Sequence, residues 1–447
     1  MACREPLNKG EKILFVGMTV LLAIAGFVAF WAYYSNIDPV VSIPTPAMPK
    51  PNARDDYLAA EKLRVFSVSL ASGASLTTDE VAEWIVDGQI VQPKRVLAGT
   101  PPTKLADMQR LMKLNAPVIA RFRQGFMHEY REPPRRSCSD KSRYAELRQL
   151  ARVLQADGDL HCAAGNWDAG AERYLDILRL GDDMQHGAPL IGMLVGTSVQ
   201  AIGRQEVWPT LNHVSGAGAR RAARRLEAMA ARRVPYAEVL REEKWATQAM
   251  MMEAFQGQGW RSFNSYLLIN EGRRDMRPDA LTSFRALFCT KRQVMRNYTQ
   301  YMDTLIYNAA QPYPAVLTYP TRPHDPINAM FISVYDETWI RYYLARTQND
   351  LLMVSFALRA YHANHGRYPA SLKALVPAYL KAVPADPFAQ KGTLGYKLTG
   401  TSYTLYSIGP DTANNGGTPS ADGQTSTGNS FIMSGSSGDI VAGINVR

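Results

Sequence analysis

The sequence predicts a multidomain protein: an N-terminal single transmembrane helix, a mostly α-helical central domain, and a C-terminal α+β head in which one helix packs on a small antiparallel sheet. Three observations predict it. An uncharged apolar run extends from Ile13 to Tyr34, and apolar residues recur at helical spacing from about Lys104 to Ala254. Near the C-terminus a helical pattern stops at Gly366-Arg367-Tyr368-Pro369 and gives way to two alternating strands. At 447 residues the chain exceeds one usual core, and its 46% hydrophobic and 20% charged residues are the balance of a globular protein.

The apolar run is long enough, as a helix, to span a hydrocarbon core of roughly 30 Å. It is also too long for the hydrophobic core of a signal peptide, and no small-x-small cleavage site follows it. Arg4, Lys9 and Lys12 precede it and only Asp38 lies between Ser35 and Pro44, so the excess of positive charge puts the N-terminus in the cytoplasm. Everything after Ser35 is therefore expected on the extracytoplasmic side of the membrane. Trp31, Tyr33 and Tyr34 fit an interfacial aromatic belt. The formal charge of +10 suits anionic partners, and this topology favours membrane lipid over nucleic acid.

Pro44, Pro46, Pro49 and Pro51 favour an extended tether over residues 35–56. Thr77 or Thr78 is placed to cap a helix over Asp79 to Ile85. Leu105, Met108, Leu111 and Met112 form one helical stripe, and Tyr144, Leu147, Leu150 and Leu154 another. From Ala151 to Leu180 two helices flank a turn at Ala164, Gly165 and Asn166. Its small residues, with Trp167, Tyr174 and Leu178, resemble a tetratricopeptide-type helical hairpin, but no second copy follows at the period of about 34 residues that such arrays require. A general bundle of α-hairpins is the expected description. Arg220, Arg221, Arg224 and Arg225 share a helix and are expected to form a solvated cationic face. Leu281 to Met302 reads as a further helix with Phe284 and Phe288 on its apolar side, and Asp336 is placed to cap the helix of the head.

In the head, Gly366 is expected to supply the left-handed end of the helix and Pro369 to prevent its continuation. Asp386-Pro387-Phe388 reads as a turn, and Gly395 to Leu398 and Tyr403 to Ile408 as strands joined around Gly400. Together with Leu375, Tyr379, Leu380, Pro384, Tyr396, and the final Tyr403, Leu405, Tyr406, Ser407, Gly409 and Asp411, these residues resemble the soluble head of the type II secretion major pseudopilin family. The resemblance covers about Thr347 to Ile440, less than a quarter of the chain. It implies a calcium site in the loop after the last long strand, at Asp411 and Asp439 with Asp422 as a third carboxylate. Two or three carboxylates with backbone and Asn414 or Asn415 oxygens can supply the six to eight ligands calcium takes. The chain departs from the family at its membrane segment, which has no Gly-Phe-x-x-x-Glu junction and does not run on into the head's helix. The head is thus expected to be a module on an anchored accessory protein rather than a fibre subunit, with secretion or pilus-type components as its protein partners.

No HExxH, GxxxxGK[ST] or GxSxG pattern occurs, and a non-enzymatic protein is the leading expectation. The alternative is an envelope hydrolase or ligand-binding protein with its site in the helical domain. Asp182, Asp183 and His186 share one helical face, as do His362 and His365; solvated or helix-terminal roles are expected for them over metal binding. Glu242 and Glu243 are adjacent and should point apart. Cys3, Cys138, Cys162 and Cys289 have no paired spacing and are expected to be isolated thiols. The expected organisation is a cytoplasmic 1–12, the anchor 13–34, the linker 35–56, a helical domain 57–335 and the head 336–447.

Overall fold

The computed structural model describes residues 9–65, 67–69, 75–77, 85–86, 89–90, 105–137, 139–140, 142–256, 285, 288–313, 319–323, 325, 327–328, 332, 335, 337–420 and 432–444, with side chains at 15–65 and from 109 onward within these ranges. Among them are eleven helices and three small antiparallel sheets.

Helix α1, Lys9–Ser35, stands apart from the rest. Its apolar span, Phe15–Ser35, is long enough to cross a membrane, and Phe15 to Tyr34 include no buried residue, while Ser35 at its end is buried. The proline-rich segment that follows is extended but is held along the body. Asp38 pairs with Lys291 at 2.8 Å, and the carbonyl of Pro44 accepts from Arg136 Nη2 at 2.9 Å. Asn52 caps α2, Ala53–Lys62, by accepting from Arg54 N, and its side-chain amide donates to the carbonyl of Arg131.

Strands β1 (Ser67–Ser69) and β2 (Ser75–Thr77) pair, as do β3 (Ile85–Val86) and β4 (Gln89–Ile90). The capped helix expected over Asp79–Ile85 does not extend to Ile85, which is in β3; residues 79–84 lie outside the described ones. Thr77 serves the β2 ladder instead, as a β-branched residue readily does.

Helices α3 (Leu105–Leu114) and α4 (Ala116–Gln124) lead into the central bundle of α5 (Tyr144–Ala163), α6 (Trp167–Asp183), α7 (Leu190–Thr210), α8 (Gly216–Ala231) and α9 (Tyr236–Gln256). The α5–α6 hairpin turns at the predicted Ala164–Asn166, with Gly165 at φ 78 supplying the left-handed residue. Helices α6 and α7 meet backbone to backbone: a Cβ added at Gly181 would strike the carbonyl of Gly196, and one at Gly196 the carbonyl of Gly181.

The helix expected from Leu281 is interrupted. Phe288 to Thr290 are not helical, Thr290 caps from outside by accepting from Gln293 N, and α10 runs Lys291–Ala309. Phe288 is exposed accordingly. Helix α11, Thr338–His365, begins after Glu337, which adopts φ 60 and makes no side-chain cap; Asp336, the expected cap, lies outside the described residues. The helix ends as predicted at Gly366, φ 67, whose N–H reaches the carbonyl of His362.

The run Leu351 to Leu358 of α11 is buried on every side. One face packs on α8 and α7, and another on the sheet of β5 (Gly395–Thr399), β6 (Ser402–Ser407) and β7 (Ile440–Val441). A helix apolar all round is an interior helix. It joins the bundle and the sheet in one apolar core running from Ala53 to Ile440. Tyr313, from the segment after α10, adds to the junction: its ring lies edge-on to Phe388, and its hydroxyl donates to the carbonyl of Pro410.

The sheet order is β5-β6-β7, so β5 is an edge. Gly400 and Thr401 form its two-residue hairpin loop, with Gly400 at φ 60 as the first central residue of a type II′ turn requires. Thr399 and Ser402 flanking such a loop exchange hydrogen bonds, so by alternation the backbone groups of Tyr396 and Leu398 point away from β6. Among the described residues no strand pairs with that outer edge.

Candidate functional site

The carboxylates that the resemblance singled out close the loop after β6. Asp439, fully buried, accepts from Asn415 N with Oδ1 (3.2 Å) and from Gly417 N with Oδ2 (2.6 Å). Asp411 accepts from Ala413 N and, at 2.9 Å, from Gly438 N. Asp422 lies outside the described residues. Burial raises the pKa of Asp439 and the nearby charge of Asp411 adds to this, while the amide donors oppose it. Two acidic groups far apart in sequence are thus drawn to one loop. Every carboxylate oxygen of this pair accepts a backbone N–H, and Asn414 Oδ1 accepts from Gly416 N and the Tyr406 hydroxyl. Each carboxylate oxygen retains lone-pair capacity for a cation.

Asp386, in the predicted turn, plays a different part. It accepts from Phe388 N, from the Ser407 hydroxyl at 2.7 Å and from Ile408 N at 2.9 Å, tying the turn to the end of β6.

A further charged constellation lies in the bundle. Asp182, Asp183 and His186, at the C-terminal end of α6, bring one ligand atom each within 4.8 Å of one another, as their shared helical face predicts. Their surroundings decide what they do. Asp183, fully buried, accepts from the Tyr57 hydroxyl at 2.5 Å and from Arg179 Nε at 3.0 Å, and pairs with Arg232 Nη1 at 2.6 Å. Asp182 pairs with Arg232 Nη2 at 2.7 Å. Two guanidinium groups therefore neutralise two carboxylates, leaving no excess negative charge to hold a cation. Burial pushes the Tyr57 phenol well above its ordinary pKa, and Asp183 adds to the shift. Tyr57 is thus a fixed hydrogen-bond donor at neutral pH.

The same logic runs along α6. Asp176, fully buried, pairs with Arg225 at 2.7 Å and Arg123 at 3.1 Å, and Arg225 also bonds Glu172. Arg221 pairs with Asp168 and Glu172, and Arg220 donates to the carbonyl of Ala378 while lying over the Tyr379 ring. The expectation of a solvated face on α8 is therefore corrected for Arg220 and Arg225, which are half-buried and clamp α8 to the head and to α6, while Arg221, though paired, and Arg224 are exposed as expected. Acidic residues of α6 supply the reason.

Beside this network lies a cleft of about 230 Å³ lined by Arg131, His186, Arg232, Glu238 and Glu242, among others. It is smaller than the roughly 300 Å³ at which small-molecule pockets begin. Glu242 pairs with Arg131 and Arg136, and Glu238 with Arg241. Glu243 points elsewhere, as adjacency predicts, and accepts from Leu190 N at 3.0 Å. The pair His362 and His365 stacks on Tyr368 and Tyr361, and His365 Nδ1 bonds the carbonyl of Tyr361, a helix-terminal role. Cys162 and Cys289 are buried and not disulfide-bonded to each other; Cys3 and Cys138 lie outside the described residues.

Asp159 has no ion-pair partner among the described residues. It is buried, and its one hydrogen bond is from the Tyr174 hydroxyl to Oδ1, at 2.6 Å. Burial first, and then the charge of Glu206, raise its pKa well above the usual carboxylate range, with the Tyr174 hydrogen bond opposing. The folded protein therefore holds a proton that the unfolded chain releases above about pH 4. Stability from this group is fully present below that pH and is lost as pH rises towards the folded pKa, at about 1.4 kcal/mol for each step of one in pH. Asp159→Asn, neutral and nearly isosteric, is expected to flatten this loss. Melting temperatures from pH 4 to 7 check it; an unchanged slope in the variant counts against a protonated Asp159.

Sequence spacing found the acidic face of α6 but not its partners. Tyr57 and Arg232 reach it from α2 and from the end of α8, at separations that leave no local pattern; Arg179, one turn before Asp183, pairs with it along the helix. Compared with protein-family models, with curated proteins and with solved structures, the chain matches none.

Proposed function

We propose that this chain is a non-enzymatic, membrane-anchored protein of the bacterial inner membrane, N-terminus in the cytoplasm and body outside, that serves as a protein-interaction component of a secretion or envelope machine. The observation that carries this reading is α1: its apolar window lies wholly outside the core that the remainder of the chain forms. The internal pairing of the bundle's buried acids favours a rigid body over a reactive site. The head is proposed to be pseudopilin-like, on the strength of its Gly366 helix end, its Asp386 turn and its β5–β6 hairpin. Its unpaired β5 edge is of the kind that accepts a partner's strand.

Affinity purification from crosslinked membranes, with and without Leu398→Pro, tests the proposal. The substitution removes one outward N–H from an edge strand, a place that tolerates proline. Secretion or pilus-type proteins should be recovered with the parent chain and lost with the variant. Recovery of none with either chain counts against the reading.

A calcium ion at Asp411 and Asp439, with Asp422 contributing from the same loop, belongs to this proposal. Millimolar calcium should then raise the melting temperature, through binding to the folded state alone. No shift, together with no heat in a calorimetric titration, sinks it.

A further inference from the structure

A second cleft, of about 590 Å³, opens where the linker crosses α9 and α10. Pro39, Val40, Val41 and Ser42 form one wall, and Lys244, Trp245, Arg292 and Arg296 stand among the residues opposite. Its charge is unbalanced. Lys244 is committed to Asp303 and Lys291 beside it to Asp38, while among the described residues the guanidinium of Arg292 bonds the carbonyl of Asp38, through Nε, and no carboxylate. Among the described residues Arg296 has no acidic partner in hydrogen-bond or ion-pair range and is exposed. Of the three cations that line the cleft, Lys244, Arg292 and Arg296, only Lys244 has a carboxylate partner among the described residues.

Position gives this charge its meaning. Helix α1 ends at Ser35 and the cleft begins at Pro39, four residues on, a reach of at most about 14 Å for extended chain. The bilayer's headgroup layer is about 5–8 Å deep on each side. The Asp38–Lys291 pair and the Arg292 bond to the Asp38 carbonyl fix the cleft to the end of α1, and exposed Val40 in its wall adds apolar surface suited to the same interface.

We propose that this cleft binds the phosphate of an anionic phospholipid headgroup in the leaflet where α1 emerges, with Arg292 and Arg296 as the contacting cations. The proposal rests on α1 being a membrane anchor. Lipid bound at this point would set how the body stands on the membrane.

Native mass spectrometry of the full chain, released from nanodiscs holding equal phosphatidylglycerol and phosphatidylcholine, tests it. The parent chain should retain phosphatidylglycerol in preference, and Arg296→Ala alone should cut that preference about five-fold, the factor equivalent to about 1 kcal/mol per cation at an anionic surface. Arg296→Ala leaves the Arg292–Asp38 contact intact, so its effect is separable from misfolding. Lys391→Ala/Lys397→Ala, which removes charge from the head, should retain the parent's preference. Equal retention of both lipids by the parent, the same loss from the head variant, or full displacement by millimolar inorganic phosphate overturns the proposal. Failure of the anchor itself is read separately, as release of the parent chain from membranes by a high-pH carbonate wash.

Discussion

Asp183→Ala is expected to destabilise the protein by about 3–5 kcal/mol, the cost of removing one member of a buried charge network. Asp183 is where α2, α6 and the end of α8 meet: the Tyr57 hydroxyl, Arg179 and Arg232 converge on its two oxygens. Alanine would leave two guanidinium groups and a phenol without that acceptor, and only Asp182 would remain for Arg232. Urea unfolding followed by circular dichroism reads the loss directly. Asp183→Asn keeps an acceptor for Tyr57 and should cost less than alanine. Combining Asp183→Ala with Arg232→Met removes a stranded charge, so the double variant should be more stable than the sum of its single costs. Stability of Asp183→Ala within 1 kcal/mol of the parent, a threshold set by the range of about 0–1 kcal/mol for surface ion pairs, would show that water reaches the network.

Phe356→Ala should cost a similar amount, about 3–5 kcal/mol, because a large, fully buried ring is replaced by a cavity. Phe356 lies in the stretch of α11 that is buried on all sides, between the bundle and the sheet. Its loss should therefore weaken both. Far-ultraviolet circular dichroism reports mainly the helices, and hydrogen exchange at Leu405 and Tyr406 reports the sheet; both should shift by the same free energy. Protection lost in the sheet alone, with the helical transition unmoved, would mean that α11 belongs energetically to the head and not to a shared core.

Local chemistry was legible in the sequence and long-range partnership was not. Gly165 and Gly366 end their helices, Asp386 makes its turn and Gly400 makes the hairpin because each outcome is fixed by a few adjacent residues. The long apolar helix α1 was equally plain, since length and the absence of charge are local properties. Short segments without a full period misled: Thr77 is as good a strand residue as a cap, and Thr290 ends one segment inside what read as a continuous apolar helix. Arg225 reads as solvated because the acids that hold it, Glu172 and Asp176, lie about fifty positions earlier on a different helix. Periodicity along one helix carries no information about the charge of its neighbour. The candidate calcium loop was legible as a pair, Asp411 and Asp439, only through the family resemblance; their amide partners follow from the loop's path.

Accessibility of a thiol placed on β5 tests the membrane-anchored reading most directly. Lys397→Cys, on an exposed position of the edge strand, would be introduced into a chain whose Cys138, Cys162 and Cys289 are serine, and produced in a Gram-negative host. A membrane-impermeant maleimide applied to sealed spheroplasts should label the introduced β5 thiol before lysis and Cys3 only after it, with both in the membrane fraction. Labelling of the β5 thiol only after lysis, or its recovery in the soluble fraction on a chain lacking Cys3, would contradict an uncleaved anchor carrying an extracytoplasmic body.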